Sequence, residues 1–163
     1  MNKLIRLLSL VGLFFLVNPN IQMVTSAAAA SSDFSTSKEY KIFGGKGHDI
    51  YLGCIGCSEF KADSICNGFG NYGNEFSSSG MFNEFSGFGN EFASKSPWNE
   101  YSSSNDVPVL VDDAGNFYGY FTTNEYRGNA VAFAGALASW FNLHDGDIEQ
   151  VRRELCRFFG QGH

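Results

Sequence analysis

The residues of this chain best suited to chemistry are its four cysteines and three histidines. Cys54-Ile55-Gly56-Cys57 has the spacing of a thiol–disulfide redox pair, a chemistry that needs a thiolate stabilised by a helix N-terminus or a nearby cation. Neither is evident, because the segment follows a strand-like run and has Glu59 close by. Cys54, Cys57 and Cys66 with Cys156 or His48 could surround zinc, but two short ligand spacings mark such sites and only one is present. His48-Asp49 and His144-Asp145 each set a base beside a carboxylate. Side chains adjacent in sequence rarely point together, and no activated nucleophile accompanies either pair, so both read as turn residues. Gly44-Gly45-Lys46-Gly47 lacks the GxxxxGK[ST] spacing of a phosphate loop. Asp112-Asp113-Ala114-Gly115-Asn116 and Asp145-Gly146-Asp147 carry clustered oxygens without the terminal glutamate of an EF-hand. The expectation is a non-enzymatic protein with no catalytic residues, metal or cofactor.

The N-terminus sets the redox context. Lys3 and Arg6 precede an apolar run, Leu7–Val17, and small residues follow through Ala30, with no acidic residue before Asp33. This is the layout of a secretory signal peptide over residues 1–30, with cleavage after one of Ala27 to Ala30 and a mature chain starting near residue 28. The run is too short for a membrane span, which needs about 18–20 apolar residues. The expected location is therefore periplasmic or extracellular, where Cys54, Cys57, Cys66 and Cys156 are candidates for one or two disulfides. Three pairings stay open.

Residues 57–104 contain a sixteen-residue unit in three copies, beginning at Cys57, Gly73 and Gly89. Alignment stacks Glu59/Glu75/Glu91, Phe60/Phe76/Phe92, Cys66/Phe82/Trp98, Asn67/Asn83/Asn99 and Phe69/Phe85/Tyr101. A polar-x-aromatic triplet occurs twice in each copy, as in Asn74-Glu75-Phe76 and Asn83-Glu84-Phe85. Repetition at a fixed period identifies supersecondary units that bury apolar surface against their neighbours. Asn, Ser and Gly favour local side-chain-to-backbone bonds and tight turns, so each unit is expected to be a pair of turns directing its aromatics inward. A flat β-solenoid is an alternative, opposed by the glutamate column, whose carboxylates would repel by roughly 1 kcal/mol at rung spacing even in water. Disorder is a third reading, opposed by the aromatic content.

Two hairpins bracket the repeats. Lys38–Phe43 and Asp49–Gly53 flank the glycine-rich turn, giving a hairpin over 38–53, and Val107–Val111 and Phe117–Thr123 flank a second turn at 112–116. The second outgoing strand and its exit, Phe117-Tyr118-Gly119 to Asn124-Glu125-Tyr126, resemble Ile50-Tyr51-Leu52-Gly53 to Ser58-Glu59-Phe60, which suggests an older duplication. Beyond it, 130–159 reads as a helical tail. Phe133, Leu137, Trp140 and Phe141 have helical spacing, and Asp147 with Gln150 resembles a capping box opening a helix faced by Ile148, Val151, Leu155 and Phe158. The fold class is α+β, one small domain over 31–163.

Tyr51-Leu52-Gly53-Cys54-x-x-Cys57-Ser58-Glu59-Phe60, Ser64-Ile65-Cys66-Asn67, Ser96-Pro97-Trp98-Asn99, Val107-Pro108-Val109-Leu110-Val111-Asp112 and Gly115-Asn116-Phe117-Tyr118-Gly119-Tyr120-Phe121 together resemble an uncharacterised family of small bacterial proteins with short Asn, Gly and aromatic repeats. The resemblance covers residues 40–123. It implies one continuous repeat domain and brings no catalytic residue with it. The Glu-rich triplets and the helical tail depart from its pattern.

Loss of Lys3 and Arg6 with the signal would leave nine basic against 17 acidic residues, moving the net charge from −6 to −8. An acidic surface disfavours nucleic acid, which needs clustered Lys and Arg. The one basic cluster, Arg152-Arg153 with Arg157, shares a helix with Glu149 and Glu154 and reads as a solvated face. The expected function is non-catalytic binding of a glycan or protein partner at the cell envelope, with Glu59, Phe60, Glu75, Phe76, Glu91 and Phe92 as the binding residues. The alternative is a structural scaffold with the repeat aromatics, Phe76 centrally, as core.

Overall fold

A computed structural model describes residues 33–161, so the expected signal segment lies outside the described residues. Two hairpins, β1 (Tyr40–Gly44) with β2 (Ile50–Ile55) and β3 (Val109–Val111) with β4 (Phe117–Tyr120), form one antiparallel sheet in the order β2-β1-β3-β4. Two helices follow, α1 (Ala134–Leu143) and α2 (Ile148–Phe158), completing an α+β fold. The strands are displaced by up to three residues from their expected bounds. The first helix begins at Ala134 rather than Ala130, because Ala130 forms a bridge with Tyr120.

The sheet is nearly symmetric about the β1–β3 seam. Each outgoing strand carries a glycine at positive φ, Gly53 at 111° and Gly119 at 128°. Each is followed by an isolated parallel bridge at the same offset, Cys54 to Ser64 and Tyr120 to Ala130. A Cβ at Gly119 would lie 2.7 Å from the Val131 backbone nitrogen, so both the dihedral and the returning chain require glycine there. Between strand and bridge lies a polar-x-aromatic turn in each half, Ser58-Glu59-Phe60 and Asn124-Glu125-Tyr126.

Residues 58–102 contain no named strand or helix. They run instead as β-turns stepping three residues at a time, with N–H to C=O bonds from Lys61 to Ser58, Ser64 to Lys61, Asn67 to Ser64 and Gly70 to Asn67, and a corresponding series from Asn90 to Ser102. Asn67, Asn83 and Asn99 brace this ribbon, each donating its amide to the carbonyl six residues back. Gly73 and Gly89 fit under the brace, since a Cβ on Gly89 would fall 1.8 Å from the Asn83 oxygen.

The third turn of each unit faces the core. Ile65, Met81 with Phe82, and Trp98 are buried there against the sheet and α1, and the Trp98 indole donates to the Met81 carbonyl. Buried Ser86, Ser96 and Ser102 donate to carbonyls at Gly80, Phe88 and Ser94, satisfying backbone groups that the absence of a sheet would leave unpaired.

Two devices tie the ribbon to α2. Disulfides join Cys54 to Cys57 and Cys66 to Cys156. The second closes a far longer loop, so chain entropy assigns it about 4.5 kcal/mol against about 2 kcal/mol for the first. Beside it Arg152 is buried, paired with Glu149 and donating to the carbonyls of Ile65 and Cys66. This corrects the reading of the basic cluster: only Arg153 and Arg157 are exposed. On α2, Ile148, Val151 and Leu155 are buried as expected, but Phe158 is partly exposed and Phe159, just past the helix end, is buried.

The β3–β4 turn is organised by Asp112, which accepts from the Ala114 and Asn116 amides, the Asn116 side chain, Tyr118 and Lys38. The Lys38 ammonium, then Asn116, holds the Asp112 carboxyl well below the usual aspartate range; Asp112, then Tyr118, holds Lys38 above its ordinary value. The native state resists protonating Asp112, so its contribution is full above the ordinary aspartate value of 3.8 and is lost as pH falls below it. The Lys38 contribution is full below 10.5 and is lost as pH rises above it. The melting temperature is expected to fall at both extremes, and Asp112→Asn to lower it at neutral pH while flattening the acid limb, as thermal denaturation across pH will show.

Candidate functional site

In each triplet the first side chain bonds the amide of the third residue. The Asn oxygen accepts from the amides of Phe69, Phe76, Phe85, Phe92, Tyr101 and Tyr126, and Ser58 Oγ from Phe60. Such a turn fixes its third residue on the outside of the bend. All seven aromatics are consequently exposed, Phe76 at 81 % and Phe69 at 100 %, whereas Phe82 and Trp98 are at 1 %. The expectation that the triplet aromatics point inward is therefore corrected. The inward column is Cys66/Phe82/Trp98, and the two triplet columns face solvent.

Successive exposed aromatics wall a row of adjoining grooves. Phe69 and Phe76 flank one of about 220 Å³, Phe76 and Phe85 the central one of about 490 Å³, and Phe85 and Phe92 a third of about 250 Å³. The far wall is α2 and the turn before it, through Gly146, Ile148 and Glu149. Asp147 caps α2 by accepting from the Glu149 and Gln150 amides. The helix start is thereby fixed beside the repeats, although no reciprocal bond from the Gln150 side chain completes a capping box.

Four of the six residues expected to bind are brought together: Glu75, Phe76, Glu91 and Phe92 all line this trough. Glu59 is not with them. It lines a separate recess with Arg152, Arg153 and Arg157, and Phe60 is exposed but lines none of the three grooves. The repeat pattern underweighted the second triplet of each copy, which supplies Phe69, Glu84 and Phe85; their Asn-x-aromatic signature was already visible. The α2 wall, with Asp145 and Asp147, had no sequence signal linking it to the repeats.

The remaining chemistry candidates are structural. The four cysteines are all in disulfides, with Cys54 and Cys57 buried. His48 contacts the Val107 carbonyl through Nε2, and His144 lies 3.5 Å from Glu154, so neither histidine pairs with its neighbouring aspartate. Among the described residues no three His, Cys, Asp or Glu side chains lie close enough together to hold a metal ion. No protein-family profile, curated protein or solved structure matches the chain.

Because the core lies behind the triplets, Trp98→Ala is expected to cost about 3–5 kcal/mol. Phe76→Ala should stay within about 0.5 kcal/mol of the parent. Chemical denaturation of both variants checks this, and comparable losses would return Phe76 to the core.

Proposed function

We infer that the protein is an exported, non-catalytic binding protein whose aromatic and acidic turn ribbon engages a partner at the cell envelope. The observation that carries this is the outward row itself. Exposed aromatics are costly to hydrate, yet here each is held out by a dedicated side-chain bond rather than left in a mobile loop. Aromatic rings with adjacent polar rims supply large contact area at little entropy cost and are favoured at recognition surfaces. A scaffold role would leave the row without a purpose, since the core is built from other residues.

Export is supported by the N-terminal pattern and by two disulfides, which persist in oxidising compartments. Among the described residues no helix is long and apolar enough to cross a membrane.

The disulfide-bonded protein and its Phe76→Ala/Phe85→Ala variant should be compared on immobilised panels of envelope glycans and peptides. The parent is expected to retain a ligand that the variant loses by about tenfold or more, with its melting temperature kept. Equal retention by both would refute the reading.

A further inference from the structure

The central groove is lined by five carboxylate residues and no Lys, Arg or His. Two of the five are engaged within the chain: Glu149 pairs with Arg152 and Arg153, and Asp147 caps α2. The side chains of Glu75, Glu84 and Asp145 line the groove with no hydrogen bond or ion pair to another described residue. The amide of Asn83, the one side-chain donor group in the lining, spends one of its two N–H bonds on the Ser77 carbonyl. The groove therefore presents mostly acceptors and ring faces.

A lining whose side chains are mostly acceptors complements a donor-only group. Lysine and arginine carry three and five donors and no acceptor. A cation beside a phenyl ring is attracted further by the ring face, more so as it is desolvated. A neutral sugar would cover three carboxylates without compensating their charge, and burial of unpaired charge is expensive. We propose that the trough takes an extended Lys/Arg-rich peptide, its cationic side chains seated between successive aromatics with the central groove as the principal subsite. This rests on the binding-surface reading above and names the partner chemistry. The row of adjoining grooves makes the site multivalent, so affinity grows with the number of cations that can be seated together.

Calorimetric titration of the disulfide-bonded protein with an oligolysine peptide and with a neutral chito-oligosaccharide tests the proposal at low and moderate salt. Oligolysine is expected to bind, more weakly as salt rises. Glu75→Gln/Glu84→Gln and Phe76→Ala/Phe85→Ala should each weaken it about tenfold with unchanged melting temperatures. If oligolysine binding is indifferent to the Phe substitutions, it is attraction to the acidic surface alone, and the site is overturned. If the oligosaccharide binds, depends on Phe76 and Phe85 and ignores Glu→Gln, the cationic occupant is overturned while the binding surface stands. If neither probe nor the ligand retained on the envelope panels responds to the Phe substitutions, both readings fall.

Discussion

Everything distinctive in this protein depends on one short-range bond, donated by a backbone amide to the side-chain oxygen of the asparagine two residues before it. By bonding locally, each Asn withdraws its segment from helix and sheet and fixes a tight turn whose third residue points away from the chain. Where the same Asn also braces a carbonyl six residues back, successive turns are locked to one another. Residues 58–102 thus acquire order without regular secondary structure. The turn that positions Phe85 outside also leaves Phe82, three residues earlier, on the inside.

Such a ribbon buries little on its own and relies on what it leans against. The sheet and α1 take its inward column, Phe82 and Trp98 above all. At its first unit the Cys66–Cys156 disulfide and the buried Arg152 tie it to α2. At its last, Asn124 and Arg127 donate to the Ser102 carbonyl, so the turn after β4 secures the end of the third unit. The approximate symmetry of the two hairpins provides both anchors: each delivers a polar-x-aromatic turn and returns through a bridge.

Hydrophobic patterning and capping chemistry made the hairpins and helices legible to within a few residues, because alternation and an Asp at a helix start have local causes. The turn character of the repeats was legible for the same reason. The direction of the aromatics was not. Phe76 and Phe82 are chemically identical, and only the position of each relative to its turn decides which faces solvent. The acidic wall opposite was equally hidden, since Asp145 and Asp147 read as a turn and a cap and approach Glu75 and Glu84 only through the tertiary fold. Arg152 was misplaced because a solvated neighbour, Arg153, shares its charge but not its helix face.

The claim that the triplet aromatics form a solvent-facing row over a separate core can be tested directly by relaxation of assigned phenyl ring protons with an inert soluble paramagnetic chelate. The rings of Phe76, Phe85 and Phe92 should relax strongly with added chelate, while those of Phe82, Phe88 and Phe121 stay protected. Protection of Phe76 equal to that of Phe82 would contradict the account and with it the trough that the aromatics are taken to wall.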